Sequence, residues 1–183
     1  MKNSHALVLV AFVLFSCKNQ TSTQQQTPET MNNQTIQKFH VVGISVRTTN
    51  KNGQSSQDIE ALWGKFWGED IQKQIPNKVN DNIYAVYTDY ESDVNGPYTV
   101  IIGLPVHSLD NIPKGFIGKT IETDVYQKFV SKGKMPAAVF NTWMEIWQDT
   151  NLKRTYNADF TIHGKKYYDG DKAEVETFIS IKK

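Results

Sequence analysis

Apolar positions recur along this chain first at strand spacing and then at helix spacing. Phe39 to Thr48 is a mostly apolar run with short polar residues between, and predicts a strand. Thr49 to Gln57 is polar, contains Gly53 and reads as a loop. Ile59, Leu62, Trp63, Phe66, Trp67 and Ile71 then fall at i, i+3, i+4, i+7, i+8 and i+12, the stripe of an amphipathic helix. Ser55 or Ser56 can cap it, Asp58 and Glu60 suit its positive first turn, and Ile75-Pro76 closes it. From Ile83 to Val106, two runs rich in Val, Ile, Tyr and Thr flank a polar knot, Glu91 to Pro97. The Asn95-Gly96-Pro97 turn chemistry makes this a β-hairpin.

The second half repeats that order. Ile112 to Gly118 is broken by Pro113, Gly115 and Gly118, and Thr120 to Ser131 follows as a strand. Pro136 suits the first turn of a helix whose stripe is Val139, Phe140, Trp143, Ile146 and Trp147. Asn157 to His163 and Val175 to Ile181 are the last two strands, joined by a loop rich in Gly and Lys. A β-α-β-β unit met twice predicts an α+β domain of two units related by a pseudo-two-fold axis.

Several spaced motifs carry a family likeness. Val86 to Gly103 reads VYTDYESDVNGPYTVIIG. Leu62-Trp63-x-x-Phe66 and Ile75-Pro76-Asn77-Lys78 precede it. Ile146-Trp147, then Arg154-x-Tyr156-x-x-Asp159-Phe160, Val175-Glu176 and Ile179-x-Ile181 follow. Together they resemble the GyrI-like family, also described as AraC-type effector-binding domains, and within it the integron-cassette effector-binding branch. The likeness runs from about Phe39 to Lys182. It implies a small-molecule binder whose two units form a ligand cleft along the pseudo-axis, backed by the two helices. One departure stands out. The family pattern places an acid directly after the Asp-Phe pair and an aromatic two residues later, where this chain has Thr161 and His163. That acid serves against cationic ligands and in the hydrolytic members, so the resemblance implies weakened cation selectivity here.

Strand parity nominates the remaining site residues. Asp159, Thr161 and His163 share one face of their strand, and Phe160 and Ile162 the other. In the last strand Glu174, Glu176 and Phe178 share a face opposite Val175, Thr177, Ile179 and Ile181. A groove on the more polar side would present Thr161, His163, Glu176 and Phe178, with Glu176 as its carboxylate. A solvated Glu176 and an exposed His163 are the bland alternatives. Trp63, Trp67, Trp143 and Trp147, at i and i+4 on two helices, serve either as core or as the back of a ligand box. The expected ligand contacts are therefore Trp63, Phe66, Trp143 and Trp147 from the helices, Tyr87 and Tyr90 from the hairpin, and Tyr156, Thr161, His163, Glu176 and Phe178 from the second unit. Tyrosine offers a flat apolar face with a polar tip, which suits planar, weakly polar molecules.

The chain's beginning changes where such a domain would work. Lys2 precedes an apolar run, Ala6 to Phe15, which is too short to span a bilayer, for which about 20 residues are needed. It ends in Leu14-Phe15-Ser16-Cys17, which resembles a bacterial lipobox and implies a signal peptide over 1–16 and lipid on Cys17. Residues 17–37 are polar and read as a tether with a span of roughly 25 Å, leaving 38–183 as the folded domain. The implied location is the cell envelope, facing the periplasm or cell surface. Cys17 is the only cysteine, so an intrachain disulfide, a thiolate nucleophile in the domain and a Cys-rich zinc site are excluded. The acidic turn Glu91-Ser92-Asp93 fits calcium spacing poorly, and neither metal nor cofactor is expected. Net charge is +1, which gives no electrostatic case for nucleic acid. The alternative function is a detoxifying hydrolase, which needs a carboxylate and a tyrosine holding a water beside an electrophile.

Overall fold

A computed structural model describes residues 33–183. The expected signal peptide, Cys17 and most of the expected tether lie outside the described residues. Eight strands form one antiparallel sheet: β1 (Asn33–Ile36), β2 (Phe39–Thr49), β3 (Ile83–Thr88), β4 (Pro97–Val106), β5 (Ile117–Ile121), β6 (Asp124–Lys132), β7 (Ala158–His163) and β8 (Glu174–Ser180). Among the described residues three α-helices accompany them: α1 (Gln54–Gly68), the single turn α2 (Ile71–Gln74) and α3 (Ala137–Gln148). The strand order is β1-β6-β8-β7-β3-β4-β2-β5. The first unit contributes β2-β4-β3 and the second β6-β8-β7, and the second strand of each unit in chain order pairs with its counterpart at the centre, Ile83 opposite His163 and Thr88 opposite Ala158. The duplicated β-α-β-β reading thus becomes a pseudo-two-fold sheet, with α1 over the first unit and α3 over the second.

The sheet curls into a half-barrel, and the chain dictates this. β5 lies at one edge and β6 next to the other, yet only Glu122 and Thr123 separate them. Three virtual Cα bonds reach no further than about 11 Å, so the two edges must approach each other. Gly43 and Gly103 face each other across β2 and β4, where a Cβ would stand 2.1 Å and 2.2 Å from a backbone oxygen of the opposite strand. Glycine permits that close crossing where the sheet bends. Inside the curl lie Val41, Val86, Ile101, Tyr126, Phe160 and Phe178. Phe39 of β2 reaches across to Phe160 of β7 at 5.2 Å between ring centres. On the outer face α1 buries Leu62 and Phe66 against Val42, Ile44, Val100 and Ile102, and α3 buries Trp143 and Ile146 against Ile179.

Four expectations change. The stretch expected to be a tether through Gln37 ends earlier, because Asn33–Ile36 pairs with β6, Gln34 opposite Tyr126. The strand expected over Thr120–Ser131 is two strands, broken at Glu122 and Thr123 as the chain crosses from one edge to the other. The first helix does not run on to Ile75. Asp70 adopts φ 51 and separates α1 from α2. Neither Ser55 nor Ser56 caps α1. Gly53 at φ 71 holds the N-cap, and Asp58 accepts hydrogen bonds from Thr48 at 2.6 Å and Gln54 at 3.1 Å.

Candidate functional site

The groove between α1 and α3, floored by β3 and β7, is an aromatic cavity of about 700 Å³. Trp63 and Trp67 project from α1 with their rings stacked 6.2 Å apart. Phe140, Trp143 and Trp147 project from α3, and Ile83, Tyr87, Tyr90 and Tyr98 rise from the hairpin. The i, i+4 stripes that could have been core packing instead split their duty. Trp143 is 7% exposed, while Trp147 is 38% and Trp67 47% exposed at the mouth. Phe140 at 56% and Tyr168 at 67% complete an open aromatic rim.

Tyr87 and Tyr90 are three residues apart, so strand parity sets them on opposite faces. Both line the cavity, because Asp89 at φ 51 ends the alternation and turns Tyr90 back. The Tyr90 hydroxyl donates to Asp159 Oδ2 at 2.9 Å. Arg154 Nη2 donates to the same oxygen at 2.6 Å, and Ser180 donates its backbone N–H (2.8 Å) and hydroxyl (3.1 Å) to Oδ1. Arg154 also lies over the Tyr156 ring, 4.3 Å from its centre. Burial works against the Arg154 charge, and Asp159 outweighs it, so the guanidinium is held above its ordinary pKa. Burial, and then the neighbouring Asp159, push the Tyr90 hydroxyl far up. Tyr87 is likewise raised by burial and stays protonated.

His163 stands in the wall with its ring between Trp63, 5.0 Å away, and Tyr167, 5.3 Å away. Its Nε2 shares a hydrogen bond of 2.8 Å with Thr161 Oγ1. Burial lowers its pKa to about 4, so the imidazole is neutral at ordinary pH. Arg154, paired with Asp159, and Glu60 on the exposed side of α1 are the only formally charged side chains in the wall among the described residues. No cluster of three metal-ligating side chains occurs among the described residues.

Of the expected contacts, Trp63, Tyr87, Tyr90, Trp143, Trp147 and His163 converge on the cavity. The others do not. Phe66 is fully buried behind Trp63 in the α1 core. Thr161 is fully buried beneath His163. Tyr156 lies behind Arg154 and faces a separate polar groove beside Asp89 and Asp124. Glu176 and Phe178 are on the wrong face. Thr161 pairs with Thr177, while Ile162 pairs with Glu176, so Glu176 leaves the sheet on the curled side. There it meets Lys128 at 3.2 Å, and Phe178 stacks on Phe160. Parity within each strand was right, but matching the two strands by polarity missed the register by one residue, which inverts every side chain. Tyr98, Phe140 and Arg154 were not nominated. Arg154 stood within a quoted motif, and its spacing of five from Asp159 was the available signal.

Comparison with known proteins agrees with this architecture. Residues 34–181 match the Cass2 family model, integron-associated effector binding protein. YobU of Bacillus subtilis strain 168, named as a candidate transcriptional regulator protein, is 30% identical over 145 residues, covering 77% of this chain and 91% of YobU. An integron cassette protein from the mobile metagenome of Vibrio cholerae has a crystal structure that is similar with a TM-score of 0.66 and 29% identity, covering 83% of this chain and 95% of that one. SAV2435, solved bound to tetraphenylphosphonium, shares the fold with a TM-score of 0.71 at 19% identity, covering 83% and 93%. With a duplicated sheet, two flanking helices and a family match over nearly all of the described residues, this chain belongs to the integron-associated effector binding protein family and carries a GyrI-like effector-binding domain.

Proposed function

We propose that this chain is a lipid-anchored protein of the bacterial cell envelope that captures a planar, amphipathic small molecule between α1 and α3. The observation that carries the binding reading is the aromatic cavity of about 700 Å³, a size and lining typical of small-molecule sites. The anchor reading rests on the apolar run Ala6 to Phe15 and the Leu-Phe-Ser-Cys sequence ending at Cys17. A hydrolase reading finds no specific support, because the buried carboxylate nearest the cavity, Asp159, is engaged by Arg154, Tyr90 and Ser180. A role at DNA finds no support in a net charge of +1.

Two measurements test the proposal. Replacing Cys17 by Ser should abolish labelling with a fatty-acid probe and release the protein from the membrane fraction. A variant still labelled and still membrane-bound would overturn the anchor. Planar aromatic probes should quench the fluorescence of Trp63, Trp143 and Trp147 saturably, and a probe set that leaves the emission untouched would overturn the binding site.

A further inference from the structure

We infer that the cavity is built for an uncharged, planar aromatic molecule that carries a hydrogen-bond acceptor, and that His163 is the residue that reads the acceptor. This deepens the small-molecule reading and rests on it.

The first support is the distribution of charge. A cation entering this cavity leaves water and needs a counter-charge at depth. Asp159 cannot serve, since its two oxygens already accept four hydrogen bonds, one from the Arg154 guanidinium. Glu60 is exposed and screened by water. Glu176, the carboxylate that could have replaced the missing acid, faces the far side of the sheet. An anion finds only an Arg154 whose charge is already balanced. An uncharged aromatic molecule, by contrast, can stack on Trp63, Tyr87 and Trp143 without leaving a charge unpaired.

The second support is His163. Where the family pattern sets an acid and an aromatic, this chain sets Thr161 and His163, and the two bond to each other at 2.8 Å. That contact occupies Nε2. Among the described residues Nδ1 has no hydrogen-bond partner, yet it is not one of the buried side-chain nitrogens sealed from solvent. The rings of Trp63 and Tyr167 fix the plane of the imidazole.

The surrounding groups set its proton. The Thr161 hydroxyl makes no other side-chain hydrogen bond among the described residues. Nε2 is the side-chain acceptor within its reach, so Thr161 gives its proton to Nε2. The tautomer assigned by this donation carries the imidazole proton on Nδ1, on a side chain that lines the cavity. A carbonyl oxygen on the ligand matches it.

Three flat tricyclic probes of similar size separate the possibilities: xanthone (neutral, carbonyl acceptor), xanthene (neutral, no carbonyl) and N-methylacridinium (cationic). Calorimetric titration of the full chain carrying Cys17→Ser should show xanthone binding at least ten times more tightly than either of the others. His163→Leu should reduce xanthone to the level of xanthene. Thr161→Glu should reverse the order in favour of N-methylacridinium. Tightest binding of N-methylacridinium by the parent chain overturns the inference, as does an unchanged xanthone-to-xanthene ratio in His163→Leu. Should His163→Leu fail to fold, Thr161→Val decides. It keeps the ring but removes the hydroxyl that polarises it, so the ratio should fall, and an unchanged ratio overturns the inference. Binding of all three probes without preference overturns only the inference. Binding of none overturns the small-molecule reading and the inference with it.

Discussion

Thr161 Oγ1 and His163 Nε2 lie 2.8 Å apart, two residues along β7 and on one face of it. The pair joins a fully buried hydroxyl to an imidazole in the cavity wall, and it makes the fold sensitive to acid. His163 has a folded pKa of about 4, lowered by burial from 6.5. The unfolded chain therefore binds a proton between those values that the native state does not, and stability falls as pH falls through that window. The stability at stake is about 3 kcal/mol, fully present above pH 6.5 and gone below pH 4. Chemical denaturation at pH 7.5, 5.5 and 4 should show a steeper loss for the parent than for His163→Gln, the difference isolating this group from the carboxylates.

Asp159 should be the least replaceable polar residue of the domain. It is fully buried, and Arg154, Tyr90 and Ser180 converge on it. Asp159→Asn leaves a buried guanidinium without its counter-charge and should cost about 3–5 kcal/mol. Pairing it with Arg154→Met should recover part of that loss, measured as the midpoint of urea unfolding. A single variant as stable as the parent would show that the ion pair is not needed.

The rim separates binding from stability. Phe140 is 56% exposed on α3 and touches the cavity mouth. Phe140→Ala should change stability by no more than about 0.5 kcal/mol. It should still weaken a stacked aromatic probe by about 0.5–1.5 kcal/mol, read by fluorescence titration. Trp143→Ala should damage both, since Trp143 packs against Ile146 and Ile179 as well as lining the wall.

The folded unit should begin at Asn33. Ile36 packs against the core inside the curl, and β1 covers the free edge of β6. A chain starting at Phe39 should unfold about 1–3 kcal/mol more easily than one starting at Asn33. Equal stability would mean that β1 contributes nothing.

What could be read from the residues alone follows a physical line. The hairpin Ile83 to Val106 and the stripes from Ile59 to Trp67 and Val139 to Trp147 are local patterns, and each reappears as an element. The duplication is a pattern of patterns and was equally visible. β1 was not, because Asn-Gln-Thr-Ile has one apolar residue in four and its partner lies some ninety positions away. Thr161 standing opposite Thr177 is likewise a property of two strands together, and polarity was a poor guide to it because the curled face tolerates the half-exposed Glu176–Lys128 pair. Tyr90 escaped parity through one left-handed residue just before it, Asp89. The tryptophans show a further limit. Periodicity says which side chains share a stripe, but whether a stripe meets a neighbour or an opening depends on how far apart two helices settle.

The closure of Arg154 on Asp159 has a consequence for the setting in which the molecule would work. A positive and a negative group 2.6 Å apart form a dipole whose field fades within a few ångströms, well short of the roughly 8 Å over which dissolved ions act at 0.15 M ionic strength. An aromatic guest held by ring faces and one imidazole proton therefore feels almost nothing that added sodium chloride can alter. At the cell envelope proposed above, where a bacterium does not regulate the ionic strength around it, a receptor of this kind would lose no grip to screening as the surroundings turn from dilute to saline.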